Sequence, residues 1–151
     1  MKKVLIVVSC LVSCVVITYI AIRIAAPIFN DNVAKKTAGE LVDLPLPNNT
    51  EFIESIYEAG KIVGNGNGMQ YFGAILIKSE LSLDELKEYY GAFTEHDWEC
   101  VVENQKTTNV EFFNGHTNVT FKTDIEGDDY YIVYSWGSND TIFHEFDLRG
   151  H

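Results

Sequence analysis

The chain has 151 residues, which is room for one folded domain, and its 22 acidic and 11 basic residues give a formal net charge of −11. This charge repels the phosphates of nucleic acids, so the composition argues against nucleic-acid binding. Cys10 and Cys14 lie in an apolar N-terminal stretch, which leaves Cys100 without a disulfide partner in the rest of the chain.

The N-terminal segment predicts a membrane anchor. Lys2 and Lys3 precede 19 uncharged residues, VLIVVSCLVSCVVITYIAI. As a helix these residues extend about 28 Å, close to the hydrocarbon thickness of a bilayer. A cleaved signal peptide usually has a shorter apolar stretch, so residues 1–29 are expected to be an uncleaved signal anchor that contacts the membrane through residues 4–29. The basic start favours a single-pass protein of the cell membrane, with a cytoplasmic N-terminus and an extracytoplasmic C-terminal domain.

A second interpretation is a lipoprotein. The sequence LVSC at residues 11–14 resembles a lipobox, which makes Cys14 a candidate lipidation site. Against this, the apolar run continues beyond Cys14, where a polar tether would be expected. Retention, cleavage and lipidation of the N-terminal segment therefore all stay open.

Residues 30–49 contain Pro45 and Pro47 and show little periodicity, so they predict a tether before one domain at residues 50–151. Residues 51–63 favour a strand, and residues 69–78 are the clearest central strand. The GNGNG pentapeptide between them predicts a hairpin turn. Because a strand rather than a helix follows it, an anion-binding loop is disfavoured. The pentapeptide is also the candidate contact for a ligand or partner, through Gly64, Asn65, Gly66, Asn67 and Gly68.

Ser82 and Glu85 form a predicted capping box that opens a helix with one apolar face. Beyond it, the pattern predicts five short strands at residues 98–105, 110–113, 116–123, 130–136 and 141–147. The predicted fold class is α+β: an N-terminal transmembrane helix, then one small domain with an antiparallel β-sheet. The order hairpin, helix, β-meander places a single helix on one face of that sheet.

Three stretches resemble a known kind of protein: LPLPNNTEF, then GKIVGNGNGMQYFGAILIKSELSLDELKEYY, then a tryptophan strand with the strands after it. They resemble small, largely uncharacterised membrane-anchored or secreted α+β domain proteins of Gram-positive bacteria. The resemblance covers about residues 44–136, and GNGNGMQYFGA is its most distinctive part. It implies an extracytoplasmic α+β domain, and it brings no catalytic residue with it.

The polar residues do not form a recognisable catalytic or metal-binding pattern. His144, Glu145, Asp147 and His151 are the densest group of possible ligands, but neighbours on a strand point to opposite faces, and no zinc-site spacing occurs. The acidic residues around Gly127 lack the spacing of a calcium loop. No nucleophile motif is present. The sequence therefore predicts no metal, no cofactor and no enzyme.

The favoured hypothesis is a membrane-tethered, non-catalytic binding or assembly module that contacts an envelope protein through an exposed sheet face or the Gly-Asn loop. One alternative is an extracytoplasmic hydrolase with an unrecognised site that uses His116 or His144. Another is a structural or regulatory membrane subunit in which the anchor itself makes the contacts.

Overall fold

The computed structural model describes residues 2–64, 68–93, 98–111, 118–138 and 143–151. The elements in chain order are helix α1 (Lys2–Asp43), strands β1 (Thr50–Gly60) and β2 (Gln70–Ser79), helix α2 (Leu83–Gly91), strands β3 (Val101–Asn104) and β4 (Tyr130–Gly137), and a 3₁₀ turn (Leu148–Gly150). The strands form one antiparallel sheet in the order β1-β2-β4-β3. The predicted α+β class and antiparallel sheet are confirmed.

The centre of the sheet is β2, which is buried along almost its whole length. As predicted, β1 and β2 pair as an antiparallel hairpin. The side chain of Gln70 orders the start of the connection, because its Oε1 accepts hydrogen bonds from the backbone N–H groups of Ile62 (2.9 Å) and Val63 (2.7 Å). On the other side of β2 lies β4, which matches the predicted strand at residues 130–136.

One face of the sheet, here called the helix face, carries both helices. The second half of α1 lies on it and buries a single stripe of residues: Ala26, Asn30, Ala34, Thr37, Ala38 and Leu41. The expected tether at residues 30–49 is therefore wrong for residues 30–43, which are helical and packed. Small residues allow the close approach, since the backbone of α1 at Thr37 and Ala38 fills the space that a side chain at Gly73 would need.

The second helix, α2, packs beside α1 on the helix face. Its capping box is present as predicted, with the backbone N–H of Ser82 donating to the Glu85 carboxylate at 2.8 Å. Leu86 and Tyr90 are fully buried against residues of β2 and β4 such as Ile77. The expectation of a single packed helix is wrong, because α1 covers the same face.

The opposite face, here called the loop face, is covered by the described part of segment 105–127, residues 105–111 and 118–127, which belong to no strand or helix. Val110, Val119 and Phe121 from this segment pack on the sheet. The carboxylate of Glu54 ties the segment to β1 by accepting hydrogen bonds from the backbone N–H groups of Lys122 (2.9 Å) and Thr123 (3.1 Å).

The predicted β-meander is confirmed only for β3, within the strand expected at residues 98–105, and for β4. Of the strands expected at residues 110–113 and 116–123, the described residues contain only an isolated bridge between Asn109 and Thr120, and residues 112–117 lie outside them. Residues 143–146 form a turn rather than the strand expected at 141–147, whose first two residues are not described. The described apolar residues of 105–111 and 118–127 cover the sheet without extending it.

Replacement of Gly73 by Ala tests the contact between α1 and the sheet. A Cβ at this position would fall on the backbone of Ala38 and lie 2.7 Å from the carbonyl carbon of Thr37. We expect Gly73→Ala to lower the free energy of unfolding by about 1–3 kcal/mol, because backbone cannot yield as a side chain can. Thermal unfolding of the detergent-solubilised chain measures this loss.

The matched control is Gly39→Ala, on the part of α1 that lies over the sheet. A Cβ at Gly39 meets no atom within 4 Å, and alanine favours a helix by up to about 1 kcal/mol over glycine. The control should therefore unfold at the same or a higher temperature than the native chain. An unfolding temperature for Gly73→Ala equal to that of the control would contradict the close helix–sheet contact.

Candidate functional site

The end of the sheet that lies nearest the apolar half of α1 is called here the anchor-proximal end. Tyr71, near the start of β2, pairs with Gly137 at the end of β4, so both strands reach this end. Along α1, Asn30 contacts Tyr71 and Ala38 contacts Gly73, so β2 and α1 run in the same direction away from it. Segment 143–151 completes the anchor-proximal end.

A buried polar cluster joins α1, β2 and segment 143–151. The Tyr71 hydroxyl donates to Asn30 Oδ1 at 2.8 Å, and Asn30 Nδ2 donates to Asp147 Oδ2 at 2.9 Å. Asp147 is only 1% exposed, and Arg149 donates to it at 2.8 Å. Arg149 also bonds Asp31 at 2.7 Å, so one guanidinium connects carboxylates from both parts of the chain.

Hydrogen bonds keep Asp147 ionised although it is buried. Burial raises the pKa of Asp147, but the hydrogen bonds from Arg149 and Asn30 outweigh it and hold the pKa below its usual value. The pKa of Glu58, at the same end of the sheet, shifts in the opposite direction. Burial raises its pKa and the charge of Asp31 adds to this, while Arg149 only partly opposes them.

Aromatic contacts extend this attachment toward the apolar half of α1. The rings of Phe143 and Phe29 lie 4.6 Å apart, and the rings of Phe146 and Tyr19 lie 6.2 Å apart in an edge-to-face arrangement. The Arg23 guanidinium stacks over Tyr19 with 5.7 Å to the ring centroid. Segment 143–151 therefore runs beside the last turns of the apolar half.

The predicted Gly-Asn contact loop also belongs to the anchor-proximal end. Gly64 and Gly68 have positive φ angles of 82° and 147°, as the turn chemistry requires, and the three residues between them lie outside the described residues. The backbone N–H of Gly68 donates to the Gly150 carbonyl at 2.6 Å. The next backbone N–H along the chain, that of Met69, donates to His144 Nε2 at 3.3 Å. These two amides are thus used within the protein, and a role of the loop in ligand contact stays a prediction.

Cys14, the candidate lipidation site, lies within α1 in its apolar half and is exposed. The helix continues without a break on both sides of it. Lipidation at this position stays a prediction.

The densest group of possible metal ligands does not converge on a common point. His144 accepts from Met69, Asp147 binds Asn30 and Arg149, and His151 meets the Glu145 carbonyl. No group of three or more His, Cys, Asp or Glu residues that could hold a metal ion occurs among the described residues. His96 and His116 lie outside them.

Sequence reasoning missed the polar cluster. The sequence pattern indicates Asp147 only as a possible metal ligand, and it gives Asn30 and Arg149 no role. A signal for Asn30 exists, because it stands four residues after Ala26 and four before Ala34, on the buried stripe of α1. Nothing in the sequence indicates that Arg149, more than a hundred residues away, pairs with Asp31.

No protein-family model matches the chain, and no curated protein or solved structure matches it. What the anchor-proximal end does must therefore be argued from its own geometry.

Replacement of Asp147 by Ala tests whether the polar cluster holds segment 143–151 in place. The change leaves Asn30 and Arg149 without their shared acceptor. We expect the local opening free energy to fall by about 2–3 kcal/mol, since hydrogen bonds to charged groups contribute about this much. Hydrogen exchange at the Gly68 amide, which donates to Gly150, should then be faster by roughly thirtyfold or more.

Glu145→Ala is the control, because it removes a negative charge from the same segment at an exposed position. It should leave exchange at Gly68 within about twofold of the native rate, as surface substitutions have small effects. Equal exchange rates in the two variants would show that the cluster does not hold the segment.

Proposed function

We propose that this protein is a membrane-anchored, non-catalytic binding or assembly module, whose domain is held outside the cytoplasm in a fixed orientation. The observation that carries the proposal is the division of α1 into two halves. In its most apolar stretch of 18 residues none is buried, whereas its second half packs on the sheet. An apolar helical surface of this size in water would be very unfavourable, and a bilayer removes the cost.

The helix is long enough both to span a bilayer and to pack on the sheet. Its 42 residues extend about 63 Å, of which a bilayer core takes about 30 Å. Pro27, which has no backbone N–H, lies inside this helix, and its carbonyl accepts a hydrogen bond from Arg149 at 3.1 Å. A continuous helix supports one fixed tilt of the domain and one fixed distance from the membrane. A flexible tether would allow many tilts and distances.

We infer that the envelope partner binds at the free edge of β1. The expected exposed sheet face is not available, because α1 and α2 cover one face and residues 105–111 and 118–127 cover the other. Among the described residues β1 pairs with β2 alone, and its aromatic residues Phe52 and Tyr57 are exposed. An edge strand with exposed aromatic side chains is a suitable surface for the addition of a partner's strand.

Charged residues in the apolar half test the membrane anchor. We expect the variant Leu11→Arg/Val15→Arg to leave membranes on alkaline extraction, because each arginine near the centre of a span costs about 2.5–3.5 kcal/mol. The native chain should stay in the membrane pellet. The control is Val42→Arg/Leu46→Arg, which charges two exposed apolar residues beyond the apolar half and should also stay in the pellet. Recovery of the unprocessed native chain as a freely soluble monomer would refute the anchor.

The intact mass of the membrane-extracted chain distinguishes the possible forms of the N-terminal segment. If the anchor is retained, the chain has its full mass. If a signal peptide is cleaved, the mass of the N-terminal segment is missing. If Cys14 is lipidated, the chain is shorter and carries added acyl groups. Protease added outside intact cells should digest the domain if it is extracytoplasmic.

A photo-crosslinking residue at Tyr57 tests the partner surface in the native membrane. We expect one reproducible protein adduct at Tyr57, and at least about tenfold less at Glu88, an exposed residue of α2 used as control. Absence of a reproducible adduct at Tyr57, or equal labelling at both positions, would count against a partner on the β1 edge.

A further inference from the structure

We propose that segment 143–151 is a second membrane-contacting element, which seats the anchor-proximal end on the bilayer with Leu148 and Phe146 at the boundary between head groups and acyl chains. The inference rests on the proposed span of α1. It adds that the folded domain itself contacts lipid.

The end of the span can be placed on α1. After Lys3 the first charge is Arg23, and Tyr19 stands one turn before it, with the guanidinium stacked on its ring. Tyrosine and arginine near the end of an apolar helix are typical of the interface. Tyr19 therefore lies about 6 Å deeper along the helix axis than Arg23.

Segment 143–151 reaches the same depth. The ring of Phe146 contacts that of Tyr19, and Arg149 donates to the carbonyl of Pro27. Leu148 lies between these two contacts along the chain. The segment thus runs beside the outermost turns of the apolar half, where the bilayer surrounds α1.

The residue at the centre of this stretch is exposed and apolar. Leu148 is 68% exposed, and Ile24 and Ile28 on the adjoining turns of α1 are exposed to a similar degree. Charged or polar residues stand beside it, with Glu145 before and His151 after. Apolar side chains flanked by polar ones at the level of the interface are the pattern of an element that lies on a membrane.

The segment is fixed rather than free to move away from the lipid. The polar cluster holds Asp147 and Arg149 against α1, and Gly150 accepts from the Gly68 amide. Because α1 and the segment are joined, insertion of the span brings Leu148 to the bilayer without further loss of conformational entropy.

Photo-crosslinking to lipid in phosphatidylcholine vesicles tests the inference on the full-length chain. A diazirine side chain is placed singly at Leu148, at Val12 in the middle of the apolar half, and at Leu46, an exposed residue beyond the far end of α1. We expect Leu148 and Val12 to yield lipid adducts, each roughly tenfold or more above Leu46, in line with the preference of leucine for an apolar environment. Leu148 is exposed, so the substitution leaves the fold intact.

The outcomes separate the two proposals. Lipid adducts at Val12 but only the Leu46 level at Leu148 would overturn the inference and leave the anchor standing. No adducts at Val12 would overturn the anchor and the inference with it. A crosslink from Leu148 to a second copy of the chain in place of lipid would also overturn the inference.

Discussion

The structure depends on one helix whose two halves differ in burial. The first half of α1 has no buried residue, and from Ala26 onward the same helix buries one stripe on the sheet. Pro27 stands where the two halves meet and removes one hydrogen bond of the helix, which nevertheless continues through it. Because the helix does not end between its halves, it connects the sheet rigidly to the apolar half.

This arrangement explains the small residues on both sides of the contact. The fit between this helix and the sheet comes from small or absent side chains. Ala34 and Ala38 on α1 and Gly73 on β2 let the two backbones approach closely. Larger side chains are used where α2 packs, because that short helix is free to adjust its position; Leu86 and Tyr90 are examples.

The sequence predicts the elements whose signals are local. The capping box of Ser82 and Glu85 marks α2, and the long apolar run of β2 marks a central strand. The packed half of α1 is not predicted, because alanines carry little hydrophobic signal and the glycine that accommodates them is distant in sequence. The prediction for the loop face is wrong for the opposite reason. Val110 and Phe121 have the spacing of strand residues, but they cover the sheet instead of extending it.

In the proposed arrangement, the polar cluster lies at the end of a membrane span. In water, an apolar segment would be held on α1 by the hydrophobic effect, but beside a bilayer lipid chains are as apolar as any side chain and compete for the same surface. Lipid chains cannot compete for hydrogen bonds, because they carry no donor or acceptor. The bonds that Asn30, Asp147 and Arg149 form therefore specify where segment 143–151 meets α1, and apolar contacts such as Phe146 with Tyr19 can follow. Ion pairs in partly buried places often add little stability, and their use here is to fix one arrangement where packing alone would leave several.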